Sequence, residues 1–174
     1  MKKTTKRLDN FAEESGTLIY GLATVPDNWI SQLKTYYKIE LEDSDTSIMW
    51  LTTIALYIEL LVARVDDILT PEEGQVLERK LIERILHYTE LINFHGQKEV
   101  GDRVKAVSNI LNEIITISKG KRVEHGDTIP QTYVYSFIKS FGDRIPEEII
   151  TDYLKSKIEL FEEQNFRSKL ENLD

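Results

Sequence analysis

Cysteine is missing from all 174 residues, which excludes disulfides, thiolate metal sites, redox motifs and cysteine nucleophiles, and suits a reducing compartment. Histidine is scarce, with three copies. Glu83 and His87 stand four apart on one helix face, a spacing that permits shared coordination but equally a surface pair, while His95 and His125 fall near helix ends. None of the eight glycines belongs to a phosphate-cradling loop, and there is no Gly-x-Ser-x-Gly, His-Glu-x-x-His or EF-hand pattern. Enzyme chemistry therefore has no motif behind it, and a non-enzymatic protein is expected. Basic charge is also short, with 22 Lys and Arg against 30 Asp and Glu for a formal charge of −8. That balance argues against a nucleic-acid groove binder, whose affinity comes from neutralising phosphates, and favours cations or basic protein partners.

The amino terminus MKKTTKRLDNF has the basic start of a signal peptide without an apolar stretch behind it, so no export signal is read and a cytoplasmic protein is expected. Ile48 to Val65 is nearly long enough to span a bilayer, but Glu59 and Arg64 lie within it, and each would cost about 2.5 to 3.5 kcal/mol near the bilayer centre. No membrane span is expected. Such all-round apolarity reads instead as a buried core helix, over about 47–66.

What is present is helical periodicity. Lys6 to Leu22 carries Leu8, Phe11, Leu18, Ile19 and Leu22, interrupted at Gly16 and Gly21, and predicts a short or broken helix. After a turn at Val25 to Asn28, the spacing of Trp29, Ile30, Leu33, Tyr36, Tyr37 and Ile39 predicts a helix to Glu40. Ser44, Asp45, Thr46 and Ser47 are candidate caps for the core helix. Thr70, Pro71, Glu72 and Glu73 then supply an N-cap, a proline at the first helical position and a capping-box acid. The helix they start is expected to reach Phe94, with Gly96 as its stop. Val100 to Ile117 predicts another helix, stopped at Gly120, followed by a polar loop over Val123 to Thr128. Pro130 opens a segment to Phe141 in which Thr132 to Phe137 also suits a strand; its helical neighbours favour helix. Pro146, Glu147 and Glu148 start a last helix to about Phe166.

The expectation is a single all-α domain, 1–174, of six to seven helices, with core helices over about 47–166, a flexible basic start at 1–6 and a fraying end at 167–174. A chain this long buries about 70% of its unfolded surface and needs no metal merely to fold. Trp50, Tyr57, Tyr133, Tyr135, Phe137 and Phe141 are expected in the core rather than around a pocket.

The stretch Val62-Ala63-Arg64-Val65-Asp66-Asp67-Ile68-Leu69-Thr70-Pro71-Glu72-Glu73 resembles the signature of the TerB-like tellurite-resistance family. In that signature an apolar helix ends in a small residue, an Ala-Asp-Gly step, an aliphatic residue, and a Ser/Thr-Pro-Glu-Glu helix start. Asp66 falls on its aspartate, Leu69 on its aliphatic residue and Glu73 on its second glutamate, while Asp67 stands where the family has glycine. Ser140 to Glu148 repeats the order of helix, Asp, aliphatic and Pro-Glu-Glu, as the two related halves of TerB-like domains would imply. The resemblance implies a role in stress response or defence, exercised through a protein partner and tuned by a divalent cation.

The cation site so implied uses Asp66, Asp67 and Glu73, joined by Glu59 or by Asp143 and Glu147. Carboxylates without cysteine or paired histidine suit Ca²⁺ or Mg²⁺. The plainer reading has Asp66 and Asp67 in a solvated turn, Glu73 completing a cap, and Glu59 facing water or an arginine. Asp-Asp followed by Glu also resembles the Mg²⁺ motifs of helical isoprenoid enzymes, which would require Glu59, Asp66 and Asp67 to share a deep cavity. A further alternative is a small acidic interaction or inhibitor protein of phage or mobile-element origin, indifferent to metal. Self-association into a homo-oligomer stays open.

Overall fold

The computed structural model describes residues 2–25, 28–88 and 99–173. Along the chain these form α1 (Lys2–Thr24), α2 (Asn28–Tyr37), α3 (Asp43–Val65), α4 (Pro71–Leu86), α5 (Val100–His125), α6 (Ile129–Phe141), a 3-10 turn (Gly142–Arg144), α7 (Glu147–Glu162) and α8 (Phe166–Glu171). Among the described residues there is no strand. The class is all-α, and Thr132 to Phe137 are helical within α6.

α3 is the axis of the fold because its sequence leaves it no polar side to turn outward. From Leu51 to Leu61 every residue is buried, and each fully buried Leu or Ile there contributes about 1.5 to 3 kcal/mol relative to exposure. By length and composition α3 could cross a membrane, and most of it is buried against the other helices. Its few polar groups are bonded within the protein. Thr52 and Thr53 donate to the carbonyls of Ile48 and Met49 at 2.8 and 2.9 Å, Thr53 meets the Tyr153 hydroxyl at 2.8 Å, and the Tyr57 hydroxyl donates to the Lys157 carbonyl at 2.8 Å. With the Arg64–Glu162 contact at 3.1 Å, these pairs advance in the same direction along both helices, so α7 runs parallel to α3.

Several boundaries differ from the sequence expectation, each for a local reason. α1 runs unbroken through Gly16 and Gly21, since its buried stripe of Leu8, Phe11, Ala12, Ser15, Ile19 and Ala23 outweighs the roughly 1 kcal/mol that each glycine costs a helix. It begins at Lys2, inside the segment expected to be flexible. α3 is capped by Glu42, ahead of the four expected candidates, and the Glu42 amide donates to the Asp45 carboxylate at 3.1 Å. α5 continues past Gly120 to His125 and ends at Gly126, whose φ of 69° is the left-handed conformation that glycine tolerates. Most of the end expected to fray is helical among the described residues. α7 stops at Glu162, Asn165 turns the chain with a φ of 48°, and α8 follows with Phe166 and Leu170 buried. Arg7 Nη2 donates to the Leu170 carbonyl at 2.5 Å, tying the end of the chain to α1. The expected reach of α4 to Phe94 and its stop at Gly96 lie outside the described residues.

Candidate functional site

The connection from α3 to α4 is built by its sequence in three steps. Val65, fully buried, ends the apolar run; the Ile68 amide donates to the Val65 carbonyl at 3.1 Å, closing a turn; and Leu69 packs back against the core. Thr70 then caps α4 reciprocally, its hydroxyl accepting from the Glu73 amide at 3.2 Å while Glu73 Oε2 accepts from the Thr70 amide at 2.9 Å. Pro71 occupies the first helical position, where no amide donor is needed. This is the start that the sequence predicts.

The four acids nominated for a cation are not gathered by this turn. Asp66 is the C-cap of α3 and exposed. It borders a cleft of about 310 Å³ whose other lining residues include Val62, Pro71 and Lys119. Asp67 is also exposed and accepts from Arg167 Nη1 at 2.6 Å. That hydrogen bond holds its carboxyl below the usual aspartate range. Among the described residues only Lys38 and Asn165 have positive φ outside glycine, so Asp67 is not in the left-handed conformation that a glycine would serve in its place. Glu73 is engaged in the cap.

Glu59 faces the opposite way, into the protein. Its carboxylate is 2% exposed and pairs with Arg122 of α5, with Nη1 at 3.2 Å from Oε2. Arg122 Nη1 also donates to Ser118 Oγ at 2.7 Å and to Thr132 Oγ1 at 3.3 Å, and the two hydroxyls meet at 2.7 Å. Tyr133 is fully buried next to this cluster, with its hydroxyl beside Glu59 and Ser118. Burial, and then the neighbouring Glu59 charge, pushes its phenol well above the ordinary value, so it stays neutral. The cluster joins α3, α5 and α6 through one buried carboxylate and its arginine.

Arg122 and Arg167 were not picked out in the sequence as partners for these acids. The signal for Arg122 was present: one carboxylate in a sealed helix demands a buried cation. No such signal existed for Arg167, which lies 100 residues from Asp67.

The second turn differs in its chemistry. α7 starts at Glu147 after Pro146, without a side-chain cap, and Asp143 and Glu147 are exposed. Among the described residues no three His, Asp or Glu side chains are placed to hold a metal ion. Glu59 is buried while Asp66 and Asp67 are exposed, so the shared cavity of an isoprenoid-type site is not formed. His87 is the C-cap of α4, His125 closes α5 beside Glu124 at 3.6 Å, and His95 lies outside the described residues. Of the aromatics expected in the core, Tyr57, Tyr133, Phe137 and Phe141 are buried and Trp50 is half-buried. Tyr135 is 47% exposed instead, with Lys121 Nζ 4.8 Å from its ring centre.

The ion pairs also show which helix ends lie together. Arg64 meets Glu162, Glu59 meets Arg122 and Lys119 meets Glu78, so the carboxyl ends of α3, α5 and α7 share one end of the bundle with the start of α4. Asp66, Asp67, Glu72, Glu124 and Glu163 are exposed at that end. Two aliphatic side chains on elements of that end are also exposed, Ile68 at 37% and Val123 at 90%. No family model, curated protein or solved structure matches the chain.

Proposed function

We propose that this is a non-enzymatic helical protein that works by holding a basic protein partner, in the stress-response or defence setting that the TerB resemblance implies. The observation that carries the reading is the end of the bundle where Ile68 and Val123 are exposed and where Asp66, Glu72 and Glu163 are exposed with no ion pair among the described residues. Exposed apolar side chains beside carboxylates that have no ion pair among the described residues offer contact area and local charge at once: the carboxylates favour a basic surface and the aliphatic groups lend it hold. The turn of residues 66–73 serves here as scaffold, since Asp67 and Glu73 already have partners inside the chain.

The test is affinity capture with the wild-type chain beside an Asp66→Lys/Glu124→Lys/Val123→Ser variant, all exposed positions, followed by titration of the purified partner at rising salt. A partner held by the wild type, lost by the variant, and bound more weakly as salt rises supports the reading. A partner held equally by both chains, or one whose affinity ignores salt, overturns it.

A further inference from the structure

α2 roofs the amino-terminal part of α3 without closing down on it. Of its ten residues, Trp29 and Leu33, four apart on one face, are buried, and the Trp29 ring lies 4.5 Å from that of Tyr153. Ile30 between them is only half-buried. It borders a cavity of about 410 Å³ that lies between α2, the end of α1 and α3, with Ala23, Met49 and Trp50 as its other apolar walls. The Thr24 hydroxyl on the α1 side already donates to the Tyr20 carbonyl at 2.8 Å, so it makes no demand on an occupant. A space of this size, apolar with a few polar groups at its edge, has the form of a small-molecule site. Hydrocarbon that displaces water from such walls is favoured there.

The charges around the cavity set the class of ligand. Lys34 stands exposed at its rim, and Lys157 lines its inner side, where Nζ donates to the Leu22 carbonyl at 3.3 Å. Among the described residues that line it there is no Asp or Glu. From Asn28 to Ile39 the roof and the turn after it carry Lys34 and Lys38 and no acid, in a chain of formal charge −8. Lys34 is paired with Glu40 at 3.1 Å, with side chains 71% and 75% exposed, and a pair so open to water yields readily to another anion.

We propose that this cavity binds a small amphiphile with an anionic head, of the class of a medium-chain carboxylate. Its hydrocarbon tail lies between α2 and α3 against Met49 and Trp50, and its carboxylate sits at the rim beside Lys34. In that pose the tail leaves water while the head stays hydrated, so no charge is buried. The site lies towards the opposite end of α3 from residues 66–73, and it is independent of the partner-binding end described above.

The test is titration of the wild-type chain with octanoate, octanol and octylammonium, read by tryptophan emission. The chain has two tryptophans, Trp50 on the cavity wall and Trp29 on the roof helix, so the signal arises at this site. The expected result is a saturable change with octanoate at one molecule per chain, binding about fivefold or more weaker with octanol, and none with octylammonium. Ser31→Phe, which puts a ring at the mouth, and Lys34→Glu, which reverses the rim charge, both change exposed positions. Each should weaken octanoate about tenfold while leaving the thermal melt in place. Octanol or octylammonium bound as tightly as octanoate overturns the proposal. So does the absence of a saturable change with octanoate, or octanoate binding that ignores both variants.

Discussion

Glu59 on α3 is enclosed by Arg122 on α5, the carboxylate 2% and the guanidinium 20% exposed. A buried pair of this kind contributes little net stability, yet breaking it strands a charge in the interior at a cost of about 3 to 5 kcal/mol. Arg122→Leu should therefore lower the melting temperature by on the order of 10 °C, and Glu59→Leu/Arg122→Leu should recover most of the loss. Thermal melts of the two variants at neutral pH check this. If the double variant is as unstable as the single, the pair itself, and not the stranded carboxylate, was holding the helices.

At the α3–α4 turn, the capping geometry sets a different expectation. Thr70→Ala removes the hydroxyl that accepts from the Glu73 amide and should cost about 1 kcal/mol. With Asp67 bonded to Arg167 and Glu73 to the Thr70 amide, millimolar Ca²⁺ or Mg²⁺ should leave the melt of the metal-stripped wild type unchanged. A bound ion at about 100 times its dissociation constant would instead add roughly 2.7 kcal/mol. An upward shift that disappears in Asp66→Asn/Asp67→Asn would return the cation site to these residues.

The features legible in the sequence are those written within one or two helical turns. The all-round apolarity of Ile48 to Val65 announced a sealed helix, and Thr70-Pro71-Glu72-Glu73 announced the next one with its cap, because both signals involve neighbours along the chain. Partnerships across the fold were not legible. Asp67 with Arg167 and Asp45 with Arg144 join residues about 100 apart, and nothing in local spacing selects one arginine over another. Glycine misled in both directions. Gly120 lies inside α5 and Gly126 ends it, since a helix stops where the backbone must turn left-handed, and the sequence around the two glycines does not say which of them does so.

Asp45 gives the acid limb of stability a definite sign. Arg144 holds it in a two-pronged pair at 2.8 and 3.1 Å, and that hydrogen bonding lowers its carboxyl from the ordinary 3.8. A carboxyl lowered in the folded state stabilises fully above its unfolded value, and the contribution is lost as pH falls through the lowered folded value. Arg144→Gln should thus be less stable than the wild type at neutral pH, and the gap should close as pH drops below about 3.8. Denaturant midpoints of both chains between pH 7 and pH 2 measure it, and a gap that stays constant into acid would separate Asp45 from the effect.

Gly16 and Gly21 lie one and a half turns apart on α1 and should respond to alanine with opposite signs. A Cβ at Gly21 meets nothing within 4 Å, so Gly21→Ala gains helix propensity and should stabilise by about 0.5 to 1 kcal/mol. A Cβ at Gly16 would lie 2.8 Å from Arg84 Cγ and 3.0 Å from Arg84 Cβ, so α1 and α4 would have to part or Arg84 would have to swing aside. Either movement disturbs a knot of contacts, since Arg84 Nε donates to Thr17 at 3.3 Å, Thr17 meets the Tyr88 hydroxyl at 3.1 Å, and Tyr88 stacks on Tyr20 at 4.6 Å. Overpacking of this kind costs about 1 to 3 kcal/mol, which exceeds the propensity gain, so Gly16→Ala should destabilise. Equilibrium unfolding in urea ranks the two variants against the wild type. A stabilised Gly16→Ala would mean that Arg84 yields freely and that the close approach of α1 to α4 does not depend on glycine.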